Sequence, residues 1–544
     1  MPKWGLTPDQ IKSRPWGLDA SDLAPYKIIT DPVHGDIYLN RLETQIVDSV
    51  PMQRLRRVRQ LGTTHLVYPG ATHSRFSHSL GVLRSVQDLL DSVIHQHNTP
   101  HPVPDLFIEW LESEETDYDL NLAECTVLAR LGGLLHDLCH VPFGHSVEDD
   151  LGFLIEHDRN VERFERLWEQ IDKSVRSRVS EDLLGALKPL ILSKYSFEES
   201  TSVLYRKYSF VEDIVSNTIC ADLLDYIRRD HMYTGLPSKV GKRVLNGFYV
   251  TPERHPANPA KMVMRVTKGG QERADVISEL FKYLRYRYEL SERALVHHAK
   301  LAADAMVGKM LEMWRDLIWI ELAADRFPQE CLSYNSNITE LQAGLKTKCG
   351  EEAVEKIGRE VTDTIEKAFI RHGDDGLIEH IIANVEDNLN IAGTEASQKA
   401  VKSLAEAVQN RQLFKSYARC SSALSQAEEL FSKFGHASKR RELEEGACRY
   451  AGIEHSWHVL LWLPNPNMRL KAAEVLVEDA NGIMPLIDKE NVGRHRGDEI
   501  YQSHRNLWEI TIFASKTIDR NSPEFKAALA WLSENMGIDW DQGR

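Results

Sequence analysis

The stretch 131–150, LGGLLHDLCHVPFGHSVEDD, constrains this chain more than any other. Its apolar start has the spacing of a buried helix, and that register places His136 and His140 four residues apart on one face, with Asp137 beside His136. Pro142 is predicted to end the helix. An imidazole and a carboxylate at the buried end of an apolar helix cost free energy unless a metal ion or a charged partner satisfies them. The stretch therefore predicts a buried site that could hold a metal ion.

A histidine followed by an aspartate is weak evidence by itself, because the chain has a second such pair at His157 and Asp158. The second pair lies in the charged context EHDRNVER, which is typical of an exposed helix start. The first pair follows GGLL, which is typical of a buried helix. The first pair is therefore the candidate site.

Composition limits the class of protein. With 544 residues, of which 42% are hydrophobic and 27% charged, the chain can bury a large core and is expected to form two or three domains. A formal net charge of -15 argues against a general nucleic-acid coat protein but leaves room for a local basic pocket.

Cysteine usage and hydropathy predict the compartment. The cysteines form no Cys-x-x-Cys pair, which is typical of reduced thiols rather than of disulfides or a zinc ribbon. The N-terminus lacks the apolar core of a signal peptide, and we find no run of about eighteen apolar residues. We therefore expect a cytoplasmic protein that does not associate with a membrane.

Periodicity predicts a mainly α fold with a helical core and a small C-terminal α/β appendage. We expect an N-terminal arm at 1–25, the core at 26–310, a helical region at 311–451 and the appendage at 452–544. The segment YKIITDPVHGDIYLN predicts a hairpin. The segment VEDIVSNTICADLLDYIRRDHMYTG predicts one long helix that ends at Gly235.

Four arginines within six residues, Arg54, Arg56, Arg57 and Arg59, stand out in an acidic chain. They are typical of a solvated basic helix face, or of an anion site in which planar guanidinium groups meet phosphate oxygens. The residues alone leave both interpretations open.

Two further segments offer metal ligands. Asp222, Tyr226 and Asp230 recur at intervals of four along a predicted helix. Such a row is usually the solvent-facing side, yet Asp222 falls among apolar residues, so it is a candidate third protein ligand. His78 lies in the first turn of another predicted helix, where a lone histidine is more often a cap or a core residue than a ligand.

Five sequence blocks, taken in order, resemble the HD-domain deoxynucleoside triphosphate triphosphohydrolases over residues 26–310. They are DPVHG at 31–35, QRLRRVRQLG at 53–62, YPGATHSRFSHSLGV at 68–82, HDLCHVPFGH at 136–145 and DLLDYIRRD at 222–230. A weaker likeness extends to PNMRLKAAEVLVED in the tail. Five ordered blocks are stronger evidence than any single motif, and they imply an HD-domain helical core.

The resemblance implies that two imidazoles and two carboxylates hold one divalent or transition metal ion, which could be Mn, Mg, Fe, Zn or Ni. The family's ligand positions fall on His78, His136, Asp137 and Asp222. Members of the family cleave between the α-phosphorus and the 5′ oxygen, giving a deoxynucleoside and intact triphosphate. This chain is therefore expected to hydrolyse deoxynucleoside triphosphates, in nucleotide-pool control or in phage defence.

Three more histidines, His140, His145 and His157, match histidines of the family's pocket. We expect His145 to protonate the departing 5′ oxygen and His140 to bind phosphate. His157 follows His145 at a shorter spacing than in the vertebrate member of the family. A general acid is typically worth about 10² to 10⁴ in rate.

The substrate contacts of the family also transfer by position. Arg75 and Arg287 match arginines that bind phosphate. Gln60 and Leu61 match residues that line the sugar and exclude a ribose 2′-hydroxyl. Tyr226 matches the tyrosine that packs on the sugar, and Asp230 matches the acid that holds its 3′-hydroxyl. Leu223 and Leu295 replace a phosphate-binding lysine and an aromatic residue of the vertebrate pattern, so base preference and strictness of deoxy selection stay open.

Some members of the family are activated by nucleotide at a second site that forms on oligomerisation. The residues that grip a guanine nucleotide there match Lys27, Asp48, Gln53 and Arg56. This match gives the basic helix a role beyond a solvated face. We therefore expect a homo-oligomer that binds deoxynucleoside triphosphates and an activating guanine nucleotide, whereas binding of nucleic acid stays open.

Two other functions are weighed against this one. An HD phosphodiesterase or nuclease acting on oligonucleotides or cyclic nucleotides would use two metals, with His140 and His145 as extra ligands. The arginine set and the absence of a long basic stripe favour a mononucleotide instead. A degenerate HD fold that only binds nucleotide has little support, because all four metal ligands are present.

Overall fold

The computed structural model describes residues 6–97, 122–192, 203–250, 261–268, 271–327, 338–387, 394–466, 475–479, 482–488 and 493–541. The predicted fold class is confirmed, because these residues are mainly α-helical and their short strands form small sheets. Within these ranges, every helix is too short or too polar to span a membrane.

The N-terminal part consists of short helices and one antiparallel hairpin. These elements are α1 (Pro8–Lys12), α2 (Ala20–Leu23), β1 (Pro25–Asp31), β2 (Gly35–Asn40), α3 (Arg41–Val47) and α4 (Val50–Arg54). The predicted hairpin is thereby confirmed. Its turn is stabilised because the Asp31 carboxylate accepts hydrogen bonds from the backbone N–H groups of Val33 and His34. The arm residues Trp16 and Leu23 are buried in the first hydrophobic core.

A set of helices around α5 builds this first core. They are α5 (Arg75–His97), α6 (Leu122–Leu135), α7 (Val161–Glu169), α8 (Lys173–Arg176), α9 (Glu181–Ile191), α10 (Val203–Ser216), α11 (Ala221–Thr234) and α12 (Ala274–Leu290). Helix α5 packs against α6 and α11, and its apolar residues Leu83, Val86 and Leu90 are buried. Gly133 permits a close approach of α5 and α6, since a Cβ there would lie 2.7 Å from Val86 Cγ2.

Helix α6 ends earlier than predicted, at Leu135 rather than at Pro142. Residues 136–139 form a turn instead of a further helical turn. His136 and His140 therefore do not share a helical face, and the prediction that they do is wrong.

Two buried guanidinium groups explain this early end. Arg54 Nη2 donates a hydrogen bond to the carbonyl oxygen of Leu138 at 2.7 Å. Arg163 Nη1 donates to the carbonyl oxygen of Cys139 at 3.1 Å. These carbonyl oxygens are satisfied from outside the segment, so the backbone does not need a continued helix to pair them.

The predicted long helix before Gly235 is two helices, α10 and α11, with a break at 217–220. Asn217 accounts for the break, because its Oδ1 accepts from the backbone N–H of Thr218 at 2.5 Å and its Nδ2 donates to Asp213 at 2.8 Å. Such a side chain competes with the helical backbone for hydrogen bonds. Gly235 follows α11 in the left-handed conformation, with a φ of 73°, which confirms the predicted end.

A second hydrophobic core lies among later helices. They are α13 (His298–Arg326), α14 (Ile338–Cys349), α15 (Glu351–Arg371), α16 (Asp374–Asp387) and α17 (Glu395–Gln409). Trp314, Phe369 and Leu404 are buried there. Helix α13 runs across the predicted boundary at residue 310, and the division into four regions stays a prediction.

The remaining elements form short sheets and a third core. They are β3 (Phe248–Val250), β4 (Met262–Arg265), β5 (Thr267–Lys268), β6 (Gln271–Glu272), β7 (Lys415–Cys420), α18 (Ala427–Phe434), α19 (Ala437–Ala451), β8 (Val459–Trp462), β9 (Leu476–Asp479), β10 (Gly482–Pro485), α20 (Gly493–Arg505), β11 (Ile510–Ala514) and α21 (Pro523–Met536). The sheet β7-β11-β8 belongs with α19 and α21, which pack on each other, to the third core. Strand β9 instead pairs in parallel with β4 and buries Val477 in the first core.

Candidate active site

Four side chains meet where α5, the turn after α6 and α11 come together. His78 Nε2 lies 3.1 Å from Asp222 Oδ1 and 3.7 Å from Asp137 Oδ2, and His136 Nε2 lies 3.2 Å from Asp137 Oδ1. His78, His136 and Asp137 each offer a ligand atom within 4.8 Å of the others. Asp222 Oδ1 is 4.0 Å from His136 Nε2. The structure therefore brings together the four residues that the resemblance assigns to a metal ion.

Hydrogen bonds orient both imidazole rings. His136 Nδ1 lies 2.9 Å from the carbonyl oxygen of Gly133, and His78 Nδ1 lies 2.7 Å from Asp225 Oδ2. A carbonyl oxygen only accepts, so His136 donates from Nδ1 and its Nε2 carries the lone pair. This Nε2 is buried and has no hydrogen-bond partner among the described residues. A nitrogen lone pair in that position fits a metal ion.

Asp225 contacts a predicted metal ligand, and the sequence did not assign it a role. Its buried carboxylate accepts from Arg229, and His34 Nε2 lies 2.7 Å from its Oδ1. A Cβ at position 81 would lie 1.9 Å from Asp225 Oδ1, so only Gly81 leaves room for it. The sequence does contain a signal for a role of Asp225, because the blocks DPVHG and DLLDYIRRD both contain charged residues to which the resemblance assigns no role.

The site concentrates negative charge. Burial alone would lower the pKa of His78, but the hydrogen bonds that its ring donates to the carboxylates of Asp222 and Asp225 raise it to about 10. Burial opposes ionisation of Asp137, yet His136 and the guanidinium of Arg75, whose Nη1 donates to Asp137 Oδ2 at 2.8 Å, hold its pKa well below the usual range. Two buried carboxylates, Asp137 and Asp225, and the partly exposed carboxylate of Asp222 surround two imidazoles and favour a cation, and an N2O2 donor set suits Mn, Fe, Zn, Ni or Mg.

The three further histidines also lie together. His140 and His157 stack with ring centroids 3.5 Å apart, and His145 lies 4.9 Å from His140. Glu148 supports the stack, because its Oε2 lies 3.2 Å from His157 Nδ1. His140 Nε2 lies 3.4 Å from Asp137 Oδ1, which joins the stack to the metal ligands.

The pKa values of His140 and His145, the two histidines with predicted roles, are shifted in opposite directions. Burial and the positive charge of Arg75 place the pKa of His140 well below its ordinary value. Desolvation would also lower the pKa of His145, but the hydrogen bond from its Nδ1 to Asp149 Oδ2, at 2.5 Å, raises it. The side chain of His145 is 59% exposed. His145 can therefore carry a proton at an accessible position, and Asp149 is a partner that the sequence did not assign.

Some of the predicted substrate-binding residues lie next to the predicted metal ligands. Arg75 is buried on the first turn of α5 and contacts Asp137 directly. Asp230 is buried and lies 2.8 Å from His73 Nε2. Burial raises the pKa of Tyr226, and the positive charge of nearby Arg287 opposes that rise, which places these two side chains near each other.

Gln60 and Leu61 precede the 3₁₀ segment that leads to α5. Gln60 Oε1 is buried without a hydrogen-bond partner among the described residues, and Leu61 is buried. Leu223 is fully buried in the first core, and Leu295 is half-buried. A lysine at position 223 would therefore need a different side-chain environment.

The predicted activator residues form two pairs on one surface. Lys27 Nζ lies 3.4 Å from Asp48 Oδ2, and Arg56 Nε donates to Gln53 Oε1 at 2.7 Å. Gln53 Nε2 also donates to the carbonyl oxygen of Val47, next to Asp48. The role of these residues stays a prediction.

Sequence comparison supports the resemblance. The deoxynucleoside triphosphate triphosphohydrolase SAMHD1 of Gallus gallus is 32% identical over 243 residues, which cover 41% of this chain and 36% of that protein. The chain is thus similar in sequence to deoxynucleoside triphosphate triphosphohydrolases. The uncharacterized protein YwfO of Bacillus subtilis is 28% identical over 301 residues, which cover 54% of this chain and 57% of that protein. The matched region is thus less than two thirds of each of these relatives.

The fold is also seen in a solved structure. A phosphohydrolase from Bacteroides thetaiotaomicron superposes with a TM-score of 0.54 and 19% identity, over 90% of this chain and 100% of that chain. No protein-family profile matches the chain.

Proposed function

We propose that this chain is a metal-dependent phosphohydrolase that cleaves deoxynucleoside triphosphates to deoxynucleoside and inorganic triphosphate. The observation that carries the proposal is the cluster of His78, His136, Asp137 and Asp222, next to a buried arginine and an accessible histidine whose pKa is raised by a neighbouring carboxylate. The similarity to SAMHD1, a triphosphohydrolase by name, supports the substrate class.

Each side chain of the site would have a separate role in an in-line displacement at the α-phosphorus. A divalent cation, when bound, supplies Lewis-acid activation of water and neutralises phosphate charge. His78 and His136 would hold it through Nε2, and Asp137 and Asp222 through carboxylate oxygens. Arg75 has a buried Nε without a partner among the described residues, which leaves a donor for a phosphate oxygen.

His145 would supply the proton for the leaving group. Water would form the new bond to the α-phosphorus and release one proton to solvent, the bond from phosphorus to the 5′ oxygen would break, and the 5′ oxygen would take the proton that His145 holds at Nε2. Asp149 stabilises the imidazolium before transfer, since it accepts from Nδ1. The low pKa of His140 keeps that ring neutral, so it would act as a hydrogen-bond partner and not as the acid.

The decisive experiment incubates the full chain, loaded in turn with Mn, Mg, Fe, Zn or Ni, with each deoxynucleoside and ribonucleoside triphosphate. Products are resolved by anion-exchange chromatography. Intact triphosphate together with deoxynucleoside is the expected result. Release of monophosphate or diphosphate, or no product with any metal, would contradict the proposal.

A variant pair assigns the activity to the cluster. His136→Ala with Asp137→Ala should abolish hydrolysis while the protein stays folded. Asp539→Asn removes a carboxylate from an exposed position in the C-terminal region and should leave the rate unchanged. Hydrolysis that persists in the double variant would show that the active site lies elsewhere.

One observation favours a second candidate, an HD phosphodiesterase or nuclease with two metals. Asp137, His140 and His157 also offer ligand atoms within 4.8 Å of one another, so Asp137 could bridge two ions. Oligonucleotides and cyclic nucleotides added to the same assay test this candidate. Two metal ions per chain and cleavage of these substrates would favour it over the triphosphohydrolase.

Activation by a guanine nucleotide is part of the proposal. Lys27, Asp48 and Arg56 are exposed, which suits a ligand shared with another copy of the chain. GTP should raise the rate and shift the chain to a larger homo-oligomer in size-exclusion chromatography. If GTP changes neither rate nor assembly, these residues are a solvated face.

A further inference from the structure

A groove of about 950 Å³ lies between α4, α7 and α15. Neither the metal cluster nor the predicted activator residues line it. One acid, Glu169, faces a set of basic side chains there. The basic residues of the groove are Arg54, Arg57, Arg166, Lys367, Arg371 and His372.

Two of these cations are already neutralised. Arg166 pairs with Glu162 at 2.7 Å and with Asp363 at 2.6 Å. Lys367 pairs with the same Asp363 at 2.7 Å. Arg54, Arg57 and Arg371 remain, and no carboxylate within the described residues pairs with any of them.

Arg54 is the most unusual of the three, since only 3% of it is exposed. Its Nη2 donates to the carbonyl oxygen of Leu138, but its Nε and Nη1 are buried without a partner among the described residues. Burial lowers its pKa to about 10. A buried guanidinium with two unsatisfied donors is costly unless an anion pairs with it.

We propose that this groove binds an oligophosphate chain, free or as part of a nucleotide, at a site separate from the metal cluster. Planar guanidinium groups match phosphate oxygens, and three unpaired ones suit several linked phosphates. The volume exceeds what a single phosphate needs and lies in the range of small-molecule pockets. A net charge of -15 disfavours a nucleic-acid strand that runs on past the groove.

The test is isothermal titration calorimetry of the full chain with inorganic triphosphate, ATP, sulfate and a short single-stranded oligonucleotide, all at the same ionic strength. Arg57→Ala with Arg371→Ala removes two exposed groups that pair with no carboxylate among the described residues, and it should leave the fold intact. Arg359→Ala is the matched control, because it removes an exposed arginine of the same helix that pairs with Glu355 outside the groove. Repeating the titrations on an Arg75→Ala background suppresses binding at the metal cluster.

The wild type and Arg359→Ala should bind triphosphate with equal affinity. The double variant should bind it at least about tenfold more weakly. Equal affinity for triphosphate and ATP would show that the phosphate chain suffices, and tighter ATP binding would show a nucleotide ligand. Both results support the proposal.

Three results would overturn it. Unchanged triphosphate affinity in the double variant would place the binding elsewhere. Sulfate binding as tightly as triphosphate would mean an adventitious ion only. A preference for the oligonucleotide would make the groove a nucleic-acid site.

Discussion

At the scale of single residues, the predicted metal ligands are oriented by side chains that are not themselves predicted ligands. Asp225 holds the His78 ring by Nδ1, so that Nε2 points toward Asp222 and Asp137. Arg229 and His34 in turn hold Asp225. Partners of this kind fix the tautomer and the orientation of a metal-ligating imidazole.

Asp225→Asn is therefore expected to weaken metal binding about 10- to 100-fold while all four direct ligands remain. An amide presents one acceptor instead of two and sets its NH2 group against the donors of Arg229 or His34. Competition between the protein and a fluorescent chelator measures the affinity. Asp182→Asn, at an exposed position of α9, is the control. Wild-type affinity in Asp225→Asn would mean that Asp225 does not position His78.

At the scale of elements, the turn after α6 is set by buried arginines. Arg163 donates to Cys139 O, to Glu148 at 2.8 Å and to Glu366 at 2.9 Å, and it is 1% exposed. It thereby joins the turn that carries Asp137 to the segment that carries Glu148 and to α15. Removing one member of a buried ionic network leaves the others uncompensated.

Arg163→Met should accordingly lower the free energy of unfolding by about 3–5 kcal/mol. Thermal and denaturant unfolding of the metal-free protein measure the loss. The matched control is Arg159→Met, because Arg159 is 65% exposed and pairs with Glu156 at the surface. That control should change stability by less than about 0.5 kcal/mol. Equal effects of the two substitutions would show that the network does not hold the turn.

At the scale of the whole molecule, a buried ion pair joins the second and third cores. Lys309 on α13 donates to Glu444 on α19 at 2.6 Å, and both are nearly inaccessible to solvent. Glu444 also accepts from the backbone N–H of Leu461 on β8 at 2.9 Å. Burial raises the pKa of Glu444, so its charge depends on the lysine.

Lys309→Met is expected to cost about 3–5 kcal/mol, because it leaves Glu444 buried and unpaired. Adding Glu444→Gln removes the charge but keeps an acceptor for Leu461, so the double variant should be more stable than the single one by at least about 1 kcal/mol. Thermal unfolding of the two variants gives the comparison. Lys402→Met, which breaks an exposed pair with Glu386, is the control. A double variant no more stable than Lys309→Met would contradict this role.

Some elements of the fold and of the candidate site could be predicted from local sequence, because the interactions that determine them lie within a few residues of one another. The hairpin after Pro25 follows from turn chemistry within a few residues, and Gly235 ends its helix because it adopts a left-handed conformation without a steric penalty. The mainly α fold follows from hydrophobic periodicity. The four residues assigned to the metal are recognisable because five short blocks occur in a fixed order.

Tertiary structure decided the rest, because those contacts join residues far apart in sequence. The end of α6 at Leu135 depends on Arg54 and Arg163, which belong to other elements and take the carbonyl oxygens of the turn. The pairing of His34 with Asp225 spans 191 positions and leaves no local pattern. The sequence thus determined which residues were available for the site. Packing of helices against one another determined which of them meet, how they are oriented and which charges are buried without a partner.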